Sequence, residues 1–169
     1  MQFPYVLRMR ELDAKTRGIY IELACNIERI LDDIICKCEI VDIAKRAIFR
    51  KDKIMHLEMG KKLSRAIKSL RDYNLKYYNQ YMSEFDIIAD LVEYRNVMAH
   101  GYSEYDPKEI DDRYITYYNK EKDQIARYVL EPREFIKNLL VFQESLIKLV
   151  DLIRILDMER GIEIIPPNP

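Results

Sequence analysis

Apolar residues recur every three or four positions along most of this chain, with charged residues between them. That spacing places the apolar side chains on one face of an α-helix. The pattern predicts four main helices over residues 16–39, 54–73, 83–101 and 132–161. The second of them has a basic outer side.

The third helix has recognisable signals at both ends. Ser83, with Asp86 three residues later, is a suitable N-cap, and Gly101 suits a left-handed C-cap. The residues just before it, 74–81, are rich in tyrosine and form either a turn or the first turns of the same helix. The stretch from 83 to 101 is therefore predicted to be one helix that ends in a glycine.

The sequence changes character after this helix. Residues 103–112 are polar and include Pro107, which predicts a loop, and the β-prone runs 114–118 and 125–130 predict a small hairpin. Pro132 is placed to begin the last helix. The predicted apolar stripe of that helix includes Ile136, Leu140 and Ile147.

These elements predict an all-α fold, an antiparallel bundle of four to five helices with a small β-hairpin inserted between the third and last main helices. The length of 169 residues suits one domain, assigned to residues 1–161. The proline-rich end, residues 162–169, is expected to be a flexible tail.

The charge balance gives little indication of a partner. Twenty-eight basic and twenty-nine acidic residues leave a formal charge of −1, so RNA binding would depend on a local patch. One basic stretch, residues 44–53, is either a segment that attracts phosphate or a solvated connector. No apolar run is long enough for a membrane helix, and Met1-Gln2-Phe3-Pro4 does not begin a signal peptide, so a cytoplasmic protein without a membrane partner is expected.

Several kinds of site are not expected. Cys25, Cys36 and Cys38 lie within one helical pattern and are interpreted as reduced packing residues, since His56 and His100 lie away from them in sequence. No metal site and no cofactor are therefore expected. The chain also lacks a glycine-rich phosphate loop and a nucleophile elbow, which argues against kinases, hydrolases and dinucleotide-binding enzymes.

The strongest candidate for chemistry is the end of the third helix, Arg95-Asn96-Val97-Met98-Ala99-His100-Gly101-Tyr102. Arg95 extends the apolar stripe, so its cation is expected to face the bundle. Asn96 and His100 are four residues apart and share a second face. In a purely structural interpretation, Arg95 pairs with an acid such as Glu28, which borders the stripe of the first helix, and His100 caps the helix end.

This motif resembles the signature of HEPN domains, in which an arginine, commonly followed by asparagine, is separated from a histidine by four to six intervening residues. The helical context, the acid-bearing first helix and the β-prone insertion extend the likeness over most of the chain. The resemblance implies a helical bundle, often a symmetric homodimer, and frequently a metal-independent ribonuclease of toxins and antiviral systems. By position, Arg95 and His100 match the motif and Asn96 the accompanying polar residue, while Glu28 could stand for an early-helix acid.

A narrower resemblance involves Tyr102. His100-Gly101-Tyr102 fits the form seen in HEPN toxins that are paired with a nucleotidyltransferase-type antitoxin, which modifies this tyrosine with AMP. The hairpin between residues 114 and 130 departs from that subfamily. A tyrosine that closes over the helix end is the other interpretation of Tyr102.

The leading hypothesis is an endoribonuclease in which RNA lies across a composite dimer site. Histidine can act as base or acid near neutrality, and arginine supplies permanently charged donors for phosphate oxygens. One histidine cannot hold both protonation states at once, so two copies of Arg95 and His100 are expected to act together. The alternative is a HEPN-like module that binds nucleotide or RNA, or mediates dimerisation, without catalysis.

Overall fold

We describe the protein from a computed structural model, which describes residues 3–105, 113–119, 123–129 and 132–159. Within these ranges the chain forms five helices and a small antiparallel sheet, which confirms the predicted helical bundle with a β-insertion. None of these helices is long and apolar enough to cross a membrane. The proposed tail, residues 162–169, lies outside the described residues.

The elements follow one another in a simple order. The helices are α1 (Phe3–Glu39), α2 (Ile43–Lys53), α3 (Met59–Tyr73), α4 (Leu75–His100) and α5 (Pro132–Glu159). The strands, which lie between α4 and α5, are β1 (Tyr102–Tyr105), β2 (Arg113–Asn119) and β3 (Gln124–Val129).

Contacts divide the chain into two compact units. The first unit comprises Met1–Ala24 and Leu91–Val141, and the second comprises Cys25–Asp90 and Phe142–Pro169. Helices α1, α4 and α5 each contribute residues to both units. The assignment of residues 1–161 to a single domain stays a prediction.

The predicted helix starts at residues 16 and 54 were wrong, since the helices begin at Phe3 and Met59, and no helix was predicted over the basic stretch 44–53. Apolar periodicity does not reveal the polar contacts of α1 and α2. Helix α1 begins well before Thr16. Its first turns were missed because Asp13 and Thr16, and not apolar side chains, are buried there. The basic stretch 44–53 is helix α2, and it buries no residue. Asp42 caps α2 by accepting a hydrogen bond from the Ala44 amide at 3.0 Å, and Arg46 Nε donates to Ile40 O at 2.9 Å.

Ser83 does not cap α4. The helix begins at Leu75, and Asn74 precedes it with its side-chain oxygen 3.0 Å from the Lys76 amide and 3.4 Å from the Tyr77 amide. Ser83 lies inside the helix, where its hydroxyl donates to Glu84 at 2.8 Å. Asparagine and serine cap helices equally well, so the choice between them was not fixed by residue type. The tyrosine-rich residues 74–81 accordingly form the first turns of α4.

The inner face of α5 differs from the predicted stripe. Ile136, Leu140 and Ile147 are each more than half exposed. The buried positions of α5 are Phe142, Ser145, Leu149, Leu152 and Leu156. Because α5 is apolar on more than one side, its periodicity alone admitted two stripes.

The core of the second unit is largely apolar but contains a buried lysine. Lys62 of α3 is 3% exposed, and its ammonium nitrogen lies 2.8 Å from Glu28 Oε1 and 3.1 Å from Asp32 Oδ1, both on α1. Burial raises the pKa of Asp32 despite the neighbouring ammonium. The buried apolar residues of this unit include Leu31, Ile34, Ile35, Ala66, Leu70, Phe85 and Ile88.

The first unit contains the sheet, in the order β1-β2-β3 with antiparallel neighbours. The predicted hairpin is confirmed as β2 and β3, in which Ile115 is paired with Tyr128. The predicted loop over residues 103–112 was wrong at its start, because residues 103–105 belong to β1, in which Ser103 pairs with Ile115 and Tyr105 with Arg113. A four-residue strand at the edge of a sheet needs no alternation of apolar residues, so this sequence did not reveal it.

Candidate active site at the end of helix α4

The motif residues occupy the last turns of α4, in the first unit. Val97 and Met98 are buried, whereas Asn96 and His100 are exposed on the same side of the helix. No hydrogen bond joins the His100 imidazole to another residue in the part of the chain that the structure describes. The C-terminal end of α4 therefore has one buried apolar side and one polar side that faces solvent.

Arg95 was expected to direct its cation into the bundle, and this was wrong. The residue is only partly buried, and its Nη1 donates to Asn96 Oδ1 at 3.2 Å. Its backbone lies on the inner stripe, but the long flexible side chain carries the guanidinium outward, as arginine side chains commonly do. The structure thus brings Arg95 and Asn96 together at the surface.

The structural interpretation of the motif receives little support. Among the described residues, no carboxylate forms an ion pair with Arg95. Glu28 lies in the second unit, where its carboxylate binds Lys62, and its assignment as a supporting acid stays a prediction. The His100 ring does not cap the helix either, since the carbonyl groups of Met98 and Gly101 accept hydrogen bonds from Arg17.

Arg17 of α1 caps the end of α4 and was missed by the sequence reasoning. Its Nη1 donates to Met98 O and to Gly101 O, each at 2.8 Å. Its Nε lies 3.1 Å from Asp13 Oδ2, and both side chains of this pair are largely buried. A guanidinium at this position satisfies carbonyl groups that lack partners within the helix and complements the negative end of the helix dipole. The four-residue spacing of Asp13 and Arg17 was the available signal of an ion pair on one helix face. It was missed because Asp13 precedes the predicted helix and Arg17 is only its second residue.

Gly101 is required for close packing and not for a left-handed backbone. A Cβ atom at this position would lie 2.1 Å from Ile115 Cγ2 and 2.8 Å from Val97 O. The Gly101 amide donates to Val97 O at 2.9 Å and so continues the helical pattern by one bond. The prediction of a left-handed C-cap was therefore wrong, and the glycine allows β2 to pack against the helix end.

We expect Gly101→Ala to lower the free energy of unfolding by about 1–3 kcal/mol, because an added methyl group would collide with a buried side chain and a backbone oxygen. Urea titration followed by circular dichroism measures this change. Gly18→Ala is the control: apart from the adjacent backbone of its own helix, no described heavy atom lies within 4 Å of its added Cβ, and alanine in a helix interior is favoured by about 0.5–1 kcal/mol. Equal effects at the two glycines would contradict the packing argument.

An aromatic cluster fixes the turn that precedes the motif. The Tyr20 and Tyr94 rings are stacked with centroids 5.9 Å apart, and Phe135 meets Tyr20 edge-on at 5.1 Å. Asn138 donates to the Tyr94 hydroxyl at 2.9 Å. Burial, together with the neighbouring Tyr94, raises the pKa of Tyr20 to about 12, so its hydroxyl stays neutral. Since Tyr94 adjoins Arg95, this cluster holds the backbone of the motif on its inner side.

Tyr102 follows the helix as the first residue of β1. Its side chain is 75% exposed, and its backbone pairs with Thr116. It does not close over the helix end as a buried residue would. The phenol is accessible both to solvent and to another macromolecule.

The cysteines match the sequence analysis only in part. Cys36 is buried, as expected for a packing residue, whereas the same prediction was wrong for Cys25, which is exposed. Within the described ranges no group of three or more histidine, cysteine, aspartate and glutamate side chains could hold a metal ion.

No protein-family model, curated protein or solved structure matches this chain. The resemblance to HEPN domains therefore stays a prediction that depends on the motif and its helical context.

Proposed function

We propose that this protein is a metal-independent endoribonuclease of the toxin or antiviral-defence type, with Arg95 and His100 as its catalytic residues. The observation that carries the proposal is the surface at the end of α4. There the partly exposed guanidinium of Arg95 forms no ion pair with any described residue, and it lies beside the exposed Asn96 amide. The exposed His100 imidazole makes no hydrogen bond to any described residue.

The three groups suit the steps of RNA cleavage. A 2′-hydroxyl must lose its proton, negative charge develops on the phosphate oxygens, and the 5′-oxygen must gain a proton as it leaves. The imidazole of His100 can carry out either proton transfer near neutral pH. The Arg95 guanidinium can bind the phosphate oxygens as their charge grows, and Asn96, which already touches Arg95, can orient it or bind a phosphate oxygen.

The geometry of the helix favours a site that is shared by two copies of the chain. Side chains five residues apart on an α-helix point about 140° away from each other, so Arg95 and His100 do not converge from one backbone. A two-fold dimer would provide a second histidine in the opposite protonation state and a second arginine. RNA would then lie across the paired helix ends.

The exposure of Tyr102 is compatible with a partner that modifies it. A nucleotidyltransferase-type antitoxin needs access to the phenol oxygen, and the 75% exposed side chain provides it. An AMP group at this position would stand next to His100 in sequence and add negative charge where RNA phosphate is proposed to bind. Modification would therefore oppose RNA binding by repulsion between like charges.

Cleavage of RNA in the presence of EDTA tests this proposal. We expect Arg95→Ala to slow cleavage about 10²- to 10³-fold, as found when a donor to a developing oxyanion is removed. Arg71→Ala, which removes an exposed arginine of the second unit, should keep the wild-type rate. Arg95→Lys keeps the charge but loses the planar pair of donors, and an intermediate rate is expected.

The same experiment distinguishes the binding module from the nuclease. If the wild-type protein binds RNA, loses that binding in Arg95→Ala and cleaves nothing, the alternative of a non-catalytic HEPN-like module is favoured. Cleavage by Arg95→Ala at the wild-type rate would reject the assigned site.

A further inference from the structure

His100 lies between two peptide groups that one guanidinium holds. Arg17 Nη1 donates to the carbonyl of Met98, two residues before His100, and to the carbonyl of Gly101, the residue after it. Both distances are 2.8 Å, which is a good length for a hydrogen bond to a charged donor. A single nitrogen thus ties the backbone on both sides of the histidine.

The guanidinium is itself fixed. Its Nε is held by Asp13 one turn earlier on α1, at 3.1 Å. The Arg17 side chain is 18% exposed and that of Asp13 is 9% exposed, so water competes weakly with these hydrogen bonds. Arg17 is therefore placed to act through the backbone, and it is too enclosed to bind an RNA phosphate.

Two further contacts complete the support around His100. The Gly101 amide donates to Val97 O. Ile115 packs so closely against Gly101 that there is no room for a Cβ atom between them. The backbone of His100 is consequently held from α1, from α4 and from β2, while its ring remains exposed. What is left free is the rotation of the imidazole about its own side-chain bonds.

We infer that Arg17 is a positioning residue for His100, which sets the direction in which the imidazole meets its substrate. The expected effect on kcat rests on the proposed function, whereas the expected effect on the position of the His100 ring does not. Because proton transfer requires the imidazole within hydrogen-bonding reach of the reacting oxygen, a displaced backbone would slow the chemical step more than it weakens RNA binding.

Arg17→Met removes all five donors and keeps an unbranched side chain of similar length. We expect kcat to fall about 10- to 100-fold with less than a twofold change in KM, as misplacement of a catalytic group by about 1 Å can produce. Arg17→Lys should recover part of kcat, since its ammonium can reach one of the two carbonyls. Added guanidinium at millimolar concentration should partly restore kcat in Arg17→Ala and leave His100→Ala unchanged.

Lys15→Met is the matched control. It removes a cation from the same helix, but Lys15 is 68% exposed and, among the described residues, forms an ion pair with Glu11 alone. Its kcat should equal that of the wild-type protein. A loss of kcat in Lys15→Met as large as in Arg17→Met would overturn the inference.

Nuclear magnetic resonance of the histidine rings tests the structural part without RNA. The chain has two histidines, His56 and His100, so each ring can be followed separately. In Arg17→Met the His100 signals should shift and broaden, while those of His56, which lies in the second unit, should stay in place. Unchanged His100 signals in a folded Arg17→Met protein would overturn the inference.

The two failures are distinguishable. If the wild-type protein does not cleave RNA but the His100 signals respond to Arg17→Met, the positioning contact stands and the nuclease proposal fails. If Arg17→Met does not fold, Asp13→Asn weakens the hold on the guanidinium more gently, and the same shift of His100 relative to His56 decides the matter.

Discussion

A His100→Ala variant is expected to cleave RNA about 10²- to 10⁴-fold more slowly than the wild-type protein, which is the usual contribution of a general acid or base. The folded state should be little affected, because the imidazole is exposed and makes no hydrogen bond to any residue in the described ranges. Initial rates on a fluorescent RNA in EDTA measure the loss. His56→Ala removes the other exposed histidine and should leave the rate unchanged.

The same variant tests whether two copies of His100 act together. When equal amounts of wild-type and His100→Ala protein exchange subunits, about a quarter of the dimers contain two intact histidines. The activity of the mixture should then be about a quarter of that of the same total amount of wild-type protein. A value of about one half would mean that each chain acts alone, and the composite site would be rejected.

The largest effect on stability is expected at the buried lysine of the second unit. Lys62→Met should lower the free energy of unfolding by about 3–5 kcal/mol, because it leaves Asp32 as a buried charge without its counter-ion. Urea denaturation at neutral pH measures the change. Lys61→Met, the neighbouring residue on α3, removes an exposed ammonium 3.5 Å from Glu58 and should change stability by less than about 1 kcal/mol.

The cost of losing Lys62 should depend on pH in a defined direction. Burial already raises the pKa of Asp32, and removing the ammonium raises it further. A carboxyl whose pKa is higher in the folded than in the unfolded protein destabilises the fold while it is ionised, and this penalty disappears as the pH falls and the carboxyl is protonated. The difference between Lys62→Met and wild type should therefore shrink between about pH 7 and pH 4. A difference that grows towards acid pH would contradict this account of the cluster.

A double variant separates the buried charge from simple packing. Asp32→Leu in the Lys62→Met background replaces the uncompensated carboxylate with an apolar side chain and should recover much of the lost stability. If it recovers none, the loss in Lys62→Met arises from the shape of the side chain and not from its charge.

Apolar periodicity predicted the helical class and the end of the helix that carries the candidate site, and the β-prone runs predicted the insertion. It failed where polar side chains shape the fold. The buried Asp13 and Thr16 concealed the first turns of α1, and α2 has no buried residue from which to infer a stripe. In these segments hydrogen bonds of polar side chains contribute to the fold, and those of Arg17 join residues far apart in sequence.

In the candidate site, too, the sequence revealed the local pattern but not the contacts between distant residues. The sequence identified Arg95, Asn96 and His100 because an arginine, an asparagine and a histidine at a predicted helix end form a local pattern. Arg17 is 81 and 84 residues away from the carbonyls it binds, so no local pattern could link them. The reason for glycine at position 101 likewise depends on Ile115, which reaches it only through the pairing of β1 with β2.

The chemistry of the RNA ends tests the central claim most directly. The account predicts that the wild-type protein, in EDTA, cleaves RNA to products with a 2′,3′-cyclic phosphate and a 5′-hydroxyl, and that a 2′-deoxy substitution at the cleaved nucleotide blocks the reaction. Mass spectrometry of the products identifies these ends. Loss of cleavage in EDTA, or cleavage of the 2′-deoxy substrate at the same rate, would contradict attack by the 2′-hydroxyl at Arg95 and His100.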